Sequence, residues 1–198
     1  MLQKPDHPSG AENASGQPEL RDVQLIHLIA QQDLRAFDAL YRHYFPRLVR
    51  FLDRMTRSTA LIEEIINDTM YVVWEKASTY NHTSKVSTWI FAIAYRKALK
   101  SIQRSDDPVD VDFELILADI DSEPDSQLSQ RQLQHCISQA LNAIPVDQRT
   151  VVNLAYYHGM AYEEIAATMD CPVNTVKTRM FHARKRLKNL LSRVMESL

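Results

Sequence analysis

The chain has 198 residues, 23 Lys and Arg against 25 Asp and Glu, 45% hydrophobic residues, three glycines and two cysteines, enough for one or two cored domains and too apolar for a disordered or fibrous chain. Cys136 and Cys171 form neither a paired metal-ligand motif nor the disulfide framework of a small secreted protein, which points to a reducing, cytoplasmic setting. No secretory apolar run opens the chain and no stretch approaches about 18 uninterrupted apolar residues, so neither export nor membrane insertion is expected.

The formal net charge of −2 hides a segregation of sign. Trp89 to Arg104 carries Arg96, Lys97, Lys100 and Arg104 and no acid, Ser105 to Asp125 carries nine acids and no base, and Pro172 to Arg193 carries seven bases and no acid.

Residues 1–20 hold two of the three glycines, three of the eight prolines and few apolar side chains, and read as a disordered tail. Beyond them only Gly159 remains, and alternating β-branched runs are absent, so the fold class expected is all-α. Phe37, Leu40, Tyr41, Tyr44, Phe45, Leu48 and Leu52 recur at steps of three and four, one buried helical face, with Pro46 expected to kink or split the helix at Phe45. Ile62, Ile65, Ile66, Met70, Val73 and Trp74 line a second helix, leaving Glu63, Glu64, Asn67, Asp68, Tyr71 and Glu75 on its outer, mostly acidic face.

The polar run Tyr80 to Lys85 predicts a short loop, with Ser87 or Thr88 capping the next helix. In that helix Trp89, Ile90, Ile93, Ala94 and Leu99 pack while Arg96, Lys97, Lys100 and Arg104 present positive charge. Residues 105–127, with Pro108, Pro124 and dense acid, predict a linker. Helical periodicity resumes through Leu133, Ile137, Leu141 and Ile144, breaks at Pro145, and continues from Val151 to Tyr156, ending at Gly159, which suits a left-handed C-terminal position.

Tyr162 to Met169 then reads as a short amphipathic helix, Asp170-Cys171-Pro172 as a tight turn, and Val173 to Leu191 as a longer basic helix. This is a helix-turn-helix pattern. Ile165, Ala166, Met169, Val173, Val176 and Met180 hold the two helices together, and the second exposes Asn174, Lys177, Thr178, Arg179, His182, Arg184 and Lys185 to base edges and phosphates. A solvated basic face would carry the same charges, but the turn spacing favours DNA.

Residues 22–193 resemble the extracytoplasmic-function (ECF, group IV) sigma factors of bacterial RNA polymerase, through DVQLIHLIAQQDLRAFDALYRHYFPRLVRF, EEIINDTMYVVWEKA, STWIFAIAYRKALKSIQR and IPVDQRTVVNLAYYHGMAYEEIAATMDCPVNTVKTRMFHARKRLKNLL in that order. The resemblance implies a region 2 helical bundle over 21–104, the acidic linker over 105–127 and a region 4 helix-turn-helix domain over 128–198. It implies polymerase docking by Glu64, Asn67, Asp68 and Tyr71, against partners in the largest and second-largest core subunits. It implies −10 promoter recognition and melting by Asn81, His82, Thr83, Ser84, Lys85, Trp89, Arg96, Lys97 and Lys100, by capture of an unstacked base. Asn174, Lys177, Thr178, Arg179, Phe181, His182, Arg184 and Lys185 are the −35 candidates. An anti-sigma factor is a further implied partner, and in the family the linker threads near the active centre and RNA exit.

The seven histidines are scattered, with no His-Glu-x-x-His, phosphate-cradling glycine loop or nucleophile elbow, so neither catalysis nor a metal or cofactor is expected. The competing reading is an ordinary helix-turn-helix regulator with a helical sensor domain. A sensor would present an apolar pocket, whereas an acidic helix face, a polar loop and a basic helix follow here in sigma order.

Overall fold

The computed structural model describes residues 16–56, 58–104 and 137–195. Most of the expected tail, the whole linker and Cys136 lie outside them. Among the described residues there is no strand, in agreement with the all-α expectation. The first half contains α1 (Gly16–Ala30), α2 (Leu34–Leu52), α3 (Thr59–Lys76), a 3-10 turn (Ala77–Thr79) and α4 (Val86–Arg104). The second contains α5 (137–142), α6 (Val146–Tyr156), α7 (Tyr162–Met169) and α8 (Val173–Met195).

Helix α1 begins at Gly16, inside the stretch expected to be tail, and buries Asp22, Ile26 and Ile29. The turn into α2 places Gln32 in the left-handed region at φ 66°, and Asp33 caps α2 with its carboxylate accepting from the amides of Arg35 (2.7 Å) and Ala36 (3.1 Å). The deep face of α2 is Ala36, Leu40, Tyr44, Leu48, Phe51 and Leu52. Phe37, Tyr41 and Phe45 lie half-buried beside it, with the Phe37 ring 5.3 Å from Trp74 of α3.

The expected split at Phe45 does not occur: α2 runs unbroken through Pro46. Pro46 is exposed, so the carbonyl that its missing amide leaves over is open to water, and burial of the opposite face outweighs the local cost. Tyr44, fully buried, donates its hydroxyl to Asp22 of α1 at 2.5 Å, which pins the first two helices. Burial, reinforced by that carboxylate, holds the Tyr44 hydroxyl far above the ordinary tyrosine range, so it stays protonated.

Helix α4 differs from expectation at its start. It opens at Val86, before the Ser87 and Thr88 expected to cap it, and its first amide is capped from a distance, Val86 N–H donating to the Glu19 carboxylate of α1 at 2.8 Å. From Ile90 to Tyr95 every residue of α4 is buried. A helix apolar all round has neighbours on more than one side. α1, α2 and α3 cover one side of α4, and α7 of the C-terminal half packs on it too.

In the second half, Met160 N–H reaches back to Leu154 O at 3.1 Å across a left-handed Gly159 at φ 63°, a left-handed helix stop with Met160 buried beneath it. Asp170 ends α7 in the left-handed conformation (φ 50°, ψ 53°), as the turn between the two helices demands. Replacing Asp170 by glycine removes that backbone strain and should raise stability by about 0.5–1 kcal/mol, after the greater freedom of glycine in the unfolded chain is set against it. A thermal melt showing lower stability for the variant would contradict this account of the turn.

Candidate nucleic-acid interface

Three polar surfaces are displayed on these helices. The first is the outer face of α3, where Glu64, Asn67, Asp68 and Tyr71 are all exposed. Burial of Ile62, Ile65, Ile66, Met70 and Val73 fixes this orientation, and two cross-links hold it. Tyr41 of α2 donates its hydroxyl to Asn67 Oδ1 at 3.0 Å, and Lys97 Nζ of α4 pairs with Asp68 Oδ2 at 2.8 Å. Tyr71 stands 64% exposed, a large ring with no ring partner among the described residues and thus available to a protein surface.

The second surface is the loop from Tyr80 to Lys85 with the start of α4. Its shape is fixed from within. Asn81 Oδ1 accepts from both the amide (3.2 Å) and hydroxyl (2.8 Å) of Thr83, an Asx-type turn. Tyr80 donates its hydroxyl to Ser84 O at 2.5 Å. His82 takes a left-handed conformation (φ 59°) and sets its ring 4.7 Å from Tyr80, which stands 5.3 Å from Trp89. Trp89 is half-buried and supports the loop through Tyr80, while Asn81, His82 and Thr83 are exposed. Arg96 and Lys100 are exposed on the later turns, Lys97 is held by Asp68, and the side chain of Arg104 lies outside those described.

The third surface is α8. Val176, Met180 and Ala183 bury its inner face against α6 and α7. Asn174, Lys177, Thr178, Phe181, His182 and Lys185 are exposed together, and at 100° per residue they fall within an arc of about 140°. Phe181 is 63% exposed, so it belongs to this face and not to the core. The two remaining candidates are engaged. Arg179 pairs with Asp147 of α6 at 2.6 Å and donates toward Cys171 Sγ at 3.6 Å; Arg184 donates to the Tyr156 hydroxyl at 2.9 Å. Both tie α8 to α6 in this structure.

A set of contacts absent from the sequence reading joins the two halves. Asn153, 3% exposed, donates its amide to Phe51 O at 3.2 Å, and Arg149 donates to Arg54 O at 3.2 Å. Lys85 Nζ pairs with Glu164 Oε1 at 2.8 Å, while Glu164 Oε2 accepts the Ala161 amide at the start of α7. That carboxylate raises the Lys85 pKa, chiefly through the hydrogen bond. The His158 ring lies 4.7 Å from Phe91 and 6.1 Å from Phe51, and burial, with Arg47 and Arg50 adding repulsion, lowers its pKa to about 4, so it is neutral near pH 7. Burial pushes the Tyr95 hydroxyl of α4 up to about 12, with Asp147 of the other half adding to it. One signal was available in the sequence: Asn153 interrupts the apolar run Val151-Val152-Asn153-Leu154, where only a polar partner in the interior suits it.

No group of three or more His, Cys, Asp or Glu side chains able to hold a metal occurs among the described residues, and no helix there is long and apolar enough to cross a membrane. Residues 40–107 match the family model described as Sigma-70 region 2, and residues 134–187 match Sigma-70, region 4. The ECF RNA polymerase sigma-E factor of Haemophilus influenzae is 26% identical over 188 residues, covering 89% of this chain and 98% of that protein. The ECF RNA polymerase sigma factor RpoE of Cereibacter sphaeroides is 29% identical over 164 residues, covering 81% and 89%. Two solved structures share the fold. CnrH in complex with the cytosolic domain of CnrY has a TM-score of 0.64 at 20% identity, covering 87% of this chain and 97% of that one. The sigma factor RpoE in complex with the anti-sigma factor NepR from Bartonella quintana has a TM-score of 0.63 at 24% identity, covering 80% and 98%.

Proposed function

Because the chain belongs to the sigma-70 family of RNA polymerase sigma factors, in its extracytoplasmic-function group, it is an alternative sigma factor that directs core polymerase to promoter DNA, and we propose how its three surfaces divide that work. Sigma factors of this kind start transcription without catalysing a reaction of their own. In this reading the region 2 unit spans 21–104, the acidic tether 105–127 and the region 4 unit 128–198. The chain acts where core polymerase is, in the bacterial cytoplasm, on a stress or envelope-type regulon, and an anti-sigma protein is its natural inhibitor.

The exposed face of α3, with Glu64, Asn67, Asp68 and Tyr71, docks on a basic surface of core polymerase, where opposite charge supplies orientation and on-rate. The loop carrying Asn81, His82, Thr83, Ser84 and Lys85 takes the −10 element as separated strands. The exposed Asn81 side chain and the His82 ring edge supply hydrogen-bonding groups for an unstacked base, Trp89 props the loop, and Arg96 and Lys100 hold phosphates. The −35 duplex meets the arc of Asn174, Lys177, Thr178, Phe181, His182 and Lys185, with Arg179 and Arg184 fixing the helix that presents it.

The observation that carries this reading is the third surface: six polar or aromatic side chains exposed on one arc of a basic helix that follows a tight left-handed turn. Runoff transcription with purified core polymerase on fragmented bacterial genomic DNA, with and without the protein, tests it. Discrete new start sites sharing two upstream motifs are expected. DNA binding without new starts would favour the ordinary regulator.

Replacing Lys177 and Lys185 by alanine should weaken −35 duplex binding across sequences and lower the slope of log affinity against log salt by about 2, one released counterion per lost phosphate contact. Fluorescence anisotropy at several salt concentrations reads this, and an unchanged slope would place the phosphate contacts elsewhere. Core polymerase affinity should stay the same.

A further inference from the structure

The outer side of α2 carries a run of arginines that none of the three surfaces uses. Arg47 and Arg50 lie about 60° apart at 100° per residue, and Arg54 follows one turn further on, just past the helix end. A neighbour fixes the direction of each guanidinium. Arg47 stands over the rings of Tyr44 and Phe91, 4.8 and 5.6 Å from their centres, and shares one N–H with the exposed His43 ring at 3.4 Å. Arg50 donates its Nε–H to Pro46 O at 3.1 Å, and Arg54 stands 5.4 Å from the centre of the Tyr157 ring. Tyr157 lies at the end of α6, so the run crosses from one half of the molecule to the other. There it meets two adjacent rings, Tyr157 and Tyr156, both more than half exposed, and continues to Arg184 of α8, whose guanidinium lies 5.8 Å from the Tyr156 ring centre.

Two properties set this band apart from an ordinary solvated face. The first is unmet charge. Arg42, Lys85, Lys97 and Arg179 are each neutralised by a carboxylate, whereas among the described residues none of Arg47, Arg50, Arg54 and Arg184 lies in an ion pair. A guanidinium seated on a ring keeps N–H groups along its edge for a phosphate, and the ring holds that edge in place before any ligand arrives. The second is the pair of tyrosines. One exposed ring is unremarkable, but two side by side among unpaired cations make a platform on which flat groups can stack.

The combination selects among partners. A DNA duplex presents phosphates to the arginines but keeps its base faces inside the stack, out of reach of the tyrosines. An acidic peptide answers the charges and leaves the rings without a planar partner. A single strand answers both, because its phosphates and its unstacked bases alternate along one chain.

We propose that the band from Arg47 to Arg184 is a further nucleic-acid site, one that takes a single strand of RNA or DNA, with the arginines on phosphates and Tyr156 and Tyr157 against bases. It shares no residue with the −10 loop and borders the −35 arc at Arg184, which falls about 20° from Lys177 around α8. The site tolerates any sequence, since every base has a face to stack.

Fluorescence anisotropy with the full-length chain and labelled 20-mers of oligo(U) and oligo(dT) tests this. Arg50→Ala/Arg54→Ala should lower strand affinity about tenfold and the slope of log affinity against log salt by about 1.4, two lost phosphate contacts on a single strand. Tyr157→Leu should also lower affinity about tenfold but leave the slope unchanged, because no charge is removed. Affinity for a −35 duplex should stay level in both variants, which also reports that the chain is folded. Tighter binding of oligo(U) would identify a transcript as the source of the strand, and tighter binding of oligo(dT) a displaced DNA strand.

Strand affinity that survives both variants but falls in Arg96→Ala/Lys100→Ala or Lys177→Ala/Lys185→Ala would assign it to the promoter surfaces and overturn the proposal. An unchanged affinity in Tyr157→Leu alone would remove the stacking and with it the preference for a single strand. Binding of polyglutamate that Arg50→Ala/Arg54→Ala abolishes, with neither oligonucleotide bound, would overturn it in favour of an acidic protein. None of these outcomes depends on transcription, so the sigma reading and this site stand or fall separately.

Discussion

Phe51→Ala is expected to lower stability by about 3–5 kcal/mol, the range for truncating a large buried aromatic side chain. Phe51 is fully buried, its ring meets Phe91 at 5.1 Å edge-on and His158 at 6.1 Å, and its carbonyl takes the Asn153 amide. Truncation removes apolar burial and two ring contacts together, at a point where α2, α4 and the C-terminal half converge. A cavity at a three-way junction collapses poorly because each wall is held by its own helix. For a chain of this length the loss corresponds to a fall of about 10 °C in Tm. Calorimetry reads it, and a fall under about 3 °C would show that the seam between the halves is not part of the cooperative unit.

Glu64→Ala/Asn67→Ala/Asp68→Ala is expected to weaken core polymerase binding about 100-fold while changing Tm little. The three side chains are exposed, and the bonds that tie them to neighbouring helices, Asn67 to Tyr41 and Asp68 to Lys97, lie at the surface, where such contacts contribute at most about 1 kcal/mol. Binding is different, because a docking partner desolvates these groups and a few central ones carry most of the energy. Titration of labelled core polymerase checks the affinity, and a parallel melt checks the fold. Equal affinity would move docking off α3, and a large loss of stability would mean the face is structural.

Much of the fold was legible because it rests on local rules. The stripes of α2 and α3 follow the helical period, and Gly159 and Asp170 mark left-handed stops that only a few residue types tolerate. Pro46 misled because proline disrupts a helix in proportion to the burial of what it leaves unbonded, and the exposure of that position is set by the partners of α2. The cap of α4 was illegible for a similar reason: Glu19 lies 67 positions from Val86, and Ser87 and Thr88 offered a plausible local alternative.

The candidate surfaces divide in the same way. The exposed arc of α8 follows from helical spacing, whereas the engagement of Arg179 by Asp147 and Arg184 by Tyr156 depends on residues 32 and 28 positions away. Spacing alone cannot tell an arginine aimed at a phosphate from one aimed at a neighbouring helix. The seam between the halves was hidden for the further reason that each of its parts has a satisfactory single-domain explanation: Lys85 as a loop cation, Glu164 as a capping residue, His158 as the residue before a helix-ending glycine.

The bridge between Asp68 and Lys97 gives the assigned surfaces a shared account. In the proposed division of the surfaces the acid belongs to the docking face and the base to the nucleic-acid face, so each neutralises the other while both are unoccupied. A polymerase cation that claims Asp68 frees Lys97 for a phosphate, and a phosphate that claims Lys97 frees Asp68 for polymerase. Such an exchange couples the two binding events with equal strength in both directions, so promoter DNA tightens the hold on polymerase by the factor that polymerase tightens the hold on DNA. On that proposed division the pair favours the ternary assembly over either partial one, a bias towards completion in a protein that must bring two partners together before either is useful.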